Sequence, residues 1–226
     1  MSIISRYTHW LHTRWPAGKV EKMPTVNDDG STNVPGIYVV GDLTGVPLLK
    51  FSADTGARAV TTITHDPSFA KRDVSDGNVR DILIIGGGVS GYAAAMQAKK
   101  QGLRFELLEA AQPFATIENF PKAKPIYTYP TDMTPAGDLQ FNAKSDIKEG
   151  LLEDLHQQVQ QAGIEPTIAK VDAVKRVGKL LQVHVKDDVI KAHRVIIAIG
   201  RSGNYRKLNV PGEELSHKVT NRLHDP

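Results

Sequence analysis

Apolar positions along the chain follow two rhythms. Short runs, IYVV at 37–40, ILII at 82–85, FELL at 105–108 (broken only by Glu106) and VIIAIG at 195–200, are flanked by turn residues and stop at Gly41, Gly86, Glu109 and Gly200. Runs of that length predict strands covered on both faces, as in a parallel sheet. Helical spacing predicts three helices, over 48–64, from Val89 to about Gly102, and over 145–163. In the third, Ile147, Leu151, Leu155 and Val159 recur every fourth position, with Ser145 as the N-cap and Gly163 as the stop.

The connecting stretches are polar or rich in turn residues. Residues 20–26 and 33–40 flank Asn27-Asp28-Asp29-Gly30, which predicts a hairpin or tight connection. The segment 65–80, with DPSFAKRDVSDGNV inside it, reads as a linker. Residues 111–144 hold five prolines and are loop-like; a loop that long within one domain is usually functional. Residues 164–192 read as short strands with turns at Val177-Gly178 and Asp187-Asp188. Residues 1–19 read as a partly helical lead-in carrying Trp10 and Trp15; His9 and His12 share a spacing that suits a metal but have no third ligand nearby, so no metal site is expected.

Composition narrows the classes. With 226 residues, 40% hydrophobic and 23% charged, the chain suits one large soluble domain or two small ones. Its net charge of +3 is scattered, without a basic run or interleaved aromatics, so no nucleic-acid partner is expected. No apolar stretch approaches the ~18 residues of a membrane span, and no secretory leader is visible, so a cytoplasmic location is the expectation. The cysteine count is zero, which removes disulfides, thiolate metal sites and any redox dithiol from these 226 residues.

The chemistry concentrates at 81–110, DILIIGGGVSGYAAAMQAKKQGLRFELLEA. It predicts a strand, a glycine turn, a helix and a second parallel strand joined by a right-handed crossover. In the pattern Gly86-x-Gly88-x-x-Gly91, the first glycine permits the tight turn, the second admits a pyrophosphate and the third lets helix and strand approach. Val89 and Ser90 open the helix, whose N-terminus favours phosphate. Glu109 ends the second strand, where a carboxylate can accept from ribose hydroxyls. AAQPFAT follows it without a cation for a 2′-phosphate, so the adenosine is FAD-like or NAD-like rather than NADP-like. Asp42 stands past another core strand; by itself it fits either a ribityl chain or a helix cap.

The stretch NVPGIYVVGD at 33–42 resembles the second FAD motif of the pyridine nucleotide-disulfide oxidoreductase superfamily, in particular its thioredoxin-reductase-like branch. The resemblance implies that Gly41 and Asp42 meet the ribityl chain. It also implies that Leu49, Lys50 and Phe51, opening the next helix, face the flavin N1–C2=O edge, where Lys50 would stabilise the reduced flavin or simply be a solvated charge. Residues 195–200 and LNVPGEE at 208–214 resemble the family's Ala-Thr-Gly signature and downstream Pro-Gly, which implies roles for Ala198 and Gly200; Ile199 replaces the usual threonine. AKVD at 169–172 is similar to the strand whose backbone reads the adenine, through Val171. YTYPT at 127–131 resembles the segment beside the flavin in bacillithiol-disulfide-reductase-like members.

The fold implied is α/β: a Rossmann-like FAD-binding domain with a central parallel sheet, helices and a small antiparallel β-meander. In the family the Gly-Asp motif closes the chain, whereas here it comes first. Residues 1–226 are therefore expected to form a single circularly permuted FAD domain, with 1–64 as the displaced C-terminal segment, 65–80 the linker and 81–226 the glycine-motif segment. The alternative is that 1–64 is the tail of an upstream module. No second G-x-G-x-x-G follows, so an NAD(P)H-binding domain is expected to come from elsewhere, with NAD(P)H as donor only when that domain is present.

The leading functional expectation is an FAD-dependent oxidoreductase that passes electrons to an external acceptor, with a homodimer as one expected assembly. Two others stand beside it: a non-catalytic flavin-holding electron-transfer module, and a single-Rossmann NAD-binding protein. The last predicts a proton relay, yet His184 and His193 have no relay neighbour in sequence, and no catalytic residue is assigned.

Overall fold

Residues of strand β2 (Val79–Ile85) alternate between two apolar layers. Ile82 and Ile84 enter one cluster with Tyr92, Ala94, Leu151 and Leu155. Leu83 and Ile85 enter a second with Leu181, Val183 and Val195. Period-two alternation therefore gives β2 a helical layer on one face and a β-layer on the other. All four side chains are buried, each contributing roughly 1.5–3 kcal/mol.

The computed structural model describes residues 24–142, 147–201, 208–215 and 218–220, together with Ile3 and Tyr7. The expectations placed on His9, His12, Trp10, Trp15 and Ser145 fall outside the described residues.

In chain order the elements are β1 (Ile37–Val39), a 3₁₀ turn (Gly41–Thr44), α1 (Leu49–His65), α2 (Pro67–Ala70), β2, α3 (Val89–Lys100), β3 (Phe105–Glu109) and α4 (Ala115–Glu118). They continue with α5 (Lys148–Gln161), β4 (Thr167–Ile168), β5 (Ala173–Val177), β6 (Leu180–Val185) and β7 (Asp188–Ile197). Parallel pairing joins β4 to β3, β3 to β2, β2 to β7 and β7 to β1. The first half of β7 pairs antiparallel with β6, and β6 with β5. The result is an α/β fold, a central sheet with a parallel layer and an antiparallel meander flanked by helices.

Leading and trailing parts share one sheet. Ile37, Tyr38 and Val39 lie opposite Val195, Ile196 and Ile197, and α1 packs along α3. The contact is close: a Cβ on Gly56 would overlap the Ser90 carbonyl.

Several local expectations need correction. The strand at 33–40 is only three residues long, and among the described residues the turn is held by isolated bridges, Val26↔Thr32 and Ser31↔Tyr38. The Ser31↔Tyr38 bridge covers the outer edge of β1, and Asp29 shapes the turn by accepting from the Ser31 N–H and hydroxyl. The linker 65–80 is ordered: α2 interrupts it, Asp66 caps that helix, and Phe69 is buried at 1% exposure. The strand expected to end at Gly200 instead ends at Ile197. Residues 169–172 are irregular rather than a strand. The third helix begins at Lys148, with Ile147 at the N-cap and no side-chain cap.

Candidate functional site at the C-terminal edge of the parallel strands

The five parallel strands end on one edge, and backbone hydrogen bonds extend the ladder just past them. Val40 N–H donates to Ile197 O at 3.0 Å, Ala198 N–H to Ile85 O at 2.8 Å, Gly86 N–H to Leu108 O at 2.7 Å, and Ala169 N–H to Glu109 O at 2.7 Å. Thus Gly41, Asp42, Gly86, Glu109, Ala198 and, two residues further, Gly200 gather at one rim. Strands β3 and β4 extend to one side of β2, while β7 and β1 lie on the other. Strand order therefore reverses between β2 and β7, the position where open α/β sheets form a ligand crevice.

The glycines of the turn differ in what the fold demands of them. Gly86 has φ +108°, and a Cβ there would sit 2.5 Å from the Ala198 carbonyl oxygen. A Cβ on Gly91 would overlap the Gly86 carbonyl. Both positions are closed by the chain's own packing. Gly88 is not: its φ of −87° and ψ of −171° suit any residue, and among the described residues nothing lies within 4 Å of a Cβ placed there. Gly88 is also the N-cap of α3, and no side chain caps that helix. Val89 and Ser90 follow as buried first-turn residues.

Glu109 reaches back to the turn. Its Oε2 accepts from Gly87 N–H at 2.6 Å and its Oε1 from Ala111 N–H at 2.9 Å. An ionised carboxylate offers about four lone-pair sites, so accepting capacity remains on both oxygens. Burial first, and the Glu109 charge second, push the Tyr92 phenol up to about 12, leaving it a neutral core group stacked on Phe114.

The leading segment supplies the opposite wall. Gly41 N–H donates to Thr55 Oγ1 at 3.0 Å, and Ser52 Oγ donates to Asp42 Oδ1 at 3.1 Å. Asp42 is half-buried on the 3₁₀ turn, with α1 beginning seven residues later at Leu49. Leu49 and Phe51 are half-buried in the first turn of α1, which no side chain caps.

Lys50 departs from its expectation. It is not a solvated charge: it is 7% exposed, and its Nζ donates to Pro130 O at 2.7 Å, Met133 O at 2.8 Å and Thr131 O at 3.4 Å. Those three carbonyls take the three donors of the ammonium. Val171 lies half-buried in the irregular connection after β4, packed on the meander-side core rather than paired in a strand. His193 bonds the Asp73 carbonyl at 2.9 Å, toward the other end of β7 from Ala198. What sequence reasoning missed was the hub on α1: Ser52 and Thr55 grip the Gly-Asp turn, while Lys50 and Asp54 grip the 130–136 loop. Only the polar residues inside an otherwise core-facing helix hinted at it.

The profile of the pyridine nucleotide-disulphide oxidoreductase family matches residues 83–226. A thioredoxin reductase from Mycolicibacterium smegmatis is 30% identical over 142 residues, 60% of this chain and 39% of that protein. The solved bacillithiol disulfide reductase from Bacillus cereus is similar with TM-score 0.51 at 25% identity, over 60% of this chain and 44% of its own. Its counterpart from Staphylococcus aureus gives TM-score 0.54 at 23% identity, over 64% and 45%, a likeness of fold. The chain spans less than half the length of each of these relatives.

Proposed function

The chain belongs to the pyridine nucleotide-disulphide oxidoreductase family, and we propose that it holds FAD across the rim where β1, β2, β3 and β7 end, as the flavin-binding part of an oxidoreductase. The observation that carries this reading is Gly88. The fold requires glycine at Gly86 and Gly91 but not at Gly88, whose Cβ would project into open space in front of an uncapped helix N-terminus. A pyrophosphate drawn to the helix dipole would need that space.

The other residues fit the rest of such a cofactor. The remaining lone pairs of Glu109 accept from the adenosine ribose, and the backbone around Val171 borders the adenine. Ala198 and Gly200 line the crevice beside Gly86. Asp42, held by the Ser52 hydroxyl, accepts from the ribityl chain. The backbone N–H groups of Leu49, Lys50 and Phe51 present the positive end of α1 toward the pyrimidine edge of the ring. When bound, the flavin supplies hydride and single-electron chemistry; the chain's part is to bind, orient and polarise.

In this reading residues 1–64 complete the cradle, as a circular permutation of the family order would require. The sheet pairing of β1 with β7 supports it. NAD(P)H is the donor, presented by a nicotinamide-binding partner domain. Electrons leave to an acceptor outside these 226 residues, which contain no cysteine for a dithiol.

The test is direct. Cofactor-free protein titrated with FAD should bind it with saturable change in flavin fluorescence, and Asp42→Ala should weaken that binding at least tenfold, about 1.4 kcal/mol. A wild-type chain that binds neither FAD nor FMN would end the proposal.

A further inference from the structure

We propose that Lys50 is a positioning residue, a buried clamp that docks the 127–136 loop on the first turn of α1 and so fixes the stacked pair Tyr127–Tyr129 as an aromatic face beside the crevice. What the aromatic face serves rests on the FAD reading; the clamp itself is argued from this chain's own atoms.

A buried ammonium is costly unless its hydrogens are satisfied. Among the described residues no carboxylate forms an ion pair with Lys50; its partners are the backbone carbonyls of Pro130, Thr131 and Met133. Carbonyls from three residues within four positions can converge on one nitrogen only if the loop curls around it. Removing the ammonium would leave those carbonyls turned inward without a donor.

Two neighbouring contacts extend the dock. Asp54 Oδ1 accepts from Ala136 N–H at 2.9 Å, and a Cβ on Gly137 would lie 2.8 Å from the Ala57 Cβ. The loop from 130 to 137 therefore lies along one face of α1. Just before it, Tyr127 and Tyr129 stack at 6.1 Å and 26°, yet remain 72% and 56% exposed. Two tyrosines held in register with ring surface still in water offer stacking area to a planar heteroaromatic ring. The conformation that presents them depends on residues 130–133, which Lys50 holds.

The full chain without cofactor, as wild type, Lys50→Met and Lys50→Arg, tests this by hydrogen exchange read on peptides. Lys50→Met should speed exchange in 127–136 about tenfold or more, with β2 and α3 unchanged. Lys50→Arg, which still donates to several carbonyls, should restore protection to within about threefold. FAD affinity should follow the same order, down about tenfold in Lys50→Met and largely recovered in Lys50→Arg. Should Lys50→Met not fold, Lys50→Gln carries the same comparison.

Unchanged exchange in 127–136 would overturn the clamp, as would Lys50→Arg behaving like Lys50→Met with β2 loosened too, the mark of lost packing alone. A wild-type chain that takes up no FAD while the exchange pattern holds would refute the cofactor reading and leave the clamp standing.

Discussion

A Cβ placed on Gly41 would stand 2.7 Å from the hydroxyl oxygen of Ser90. The leading Gly-Asp turn and the first turn of α3 are thus in direct contact, although 49 positions separate them in sequence (90 − 41). Gly41 combines that contact with φ +73°, so Gly41→Ala should cost about 1–3 kcal/mol. Gly56→Ala, which drives a Cβ into the Ser90 backbone, should cost more than about 3 kcal/mol. Gly77→Ala, with nothing near its Cβ among the described residues, should stay within about 0.5 kcal/mol. Urea unfolding of the three variants measures the ranking. If 24–65 folded as its own body, Gly56→Ala would leave the unfolding of the remainder untouched.

Phe69 makes the connection between the two halves structural. Its ring is buried, with the Arg72 guanidinium 4.1 Å and that of Arg194 5.4 Å from its centroid. Phe69→Ala should cost about 3–5 kcal/mol in denaturant unfolding. A loose tether at 65–80 would lose less than about 0.5 kcal/mol.

Acid should loosen the same region. The hydrogen bond from Arg194, chiefly, holds the Asp66 carboxyl down at about 2, below its ordinary 3.8. Asp81 is raised by burial, but the hydrogen bonds from Arg72 and the Arg104 N–H outweigh this and leave it lowered. A depressed carboxyl favours the fold fully above its unfolded value, and that contribution fades as protonation of the folded form sets in. Stability should therefore fall from about pH 4 towards pH 2. Arg194→Met should be less stable near neutrality and show a shallower loss over that window, measured by urea midpoints. A parallel pH slope in the variant would contradict the assignment.

The parallel core and the glycine turn were legible in the sequence because both are local. Four-residue apolar runs ending on glycine or an acid declare buried strands, and the spacing of Gly86, Gly88 and Gly91 declares a turn into a helix. The ordered strap at 65–80 was not legible. Its signal is one aromatic, Phe69, among polar residues, and the arginines beside it come from 72 and from strand β7 at 194. The role of Lys50 was misjudged for a related reason. A lysine in the first turn of a helix looks solvated until a loop eighty residues away wraps its carbonyls around it. Val171 was placed in a strand through the resemblance of 169–172 to the adenine-reading strand, yet the chain there is turning from the parallel edge into the meander.

If FAD sits across the rim, the space in front of Gly88 is kept open for the cofactor rather than for the fold. Gly88→Ser tests it most directly, because serine suits the extended N-cap backbone there and adds the missing side-chain cap. The account predicts a variant about 0.5–1 kcal/mol more stable than wild type, with FAD affinity reduced at least tenfold (roughly 1.4 kcal/mol or more) by fluorescence titration. A serine variant that binds FAD as tightly as the wild type would contradict it.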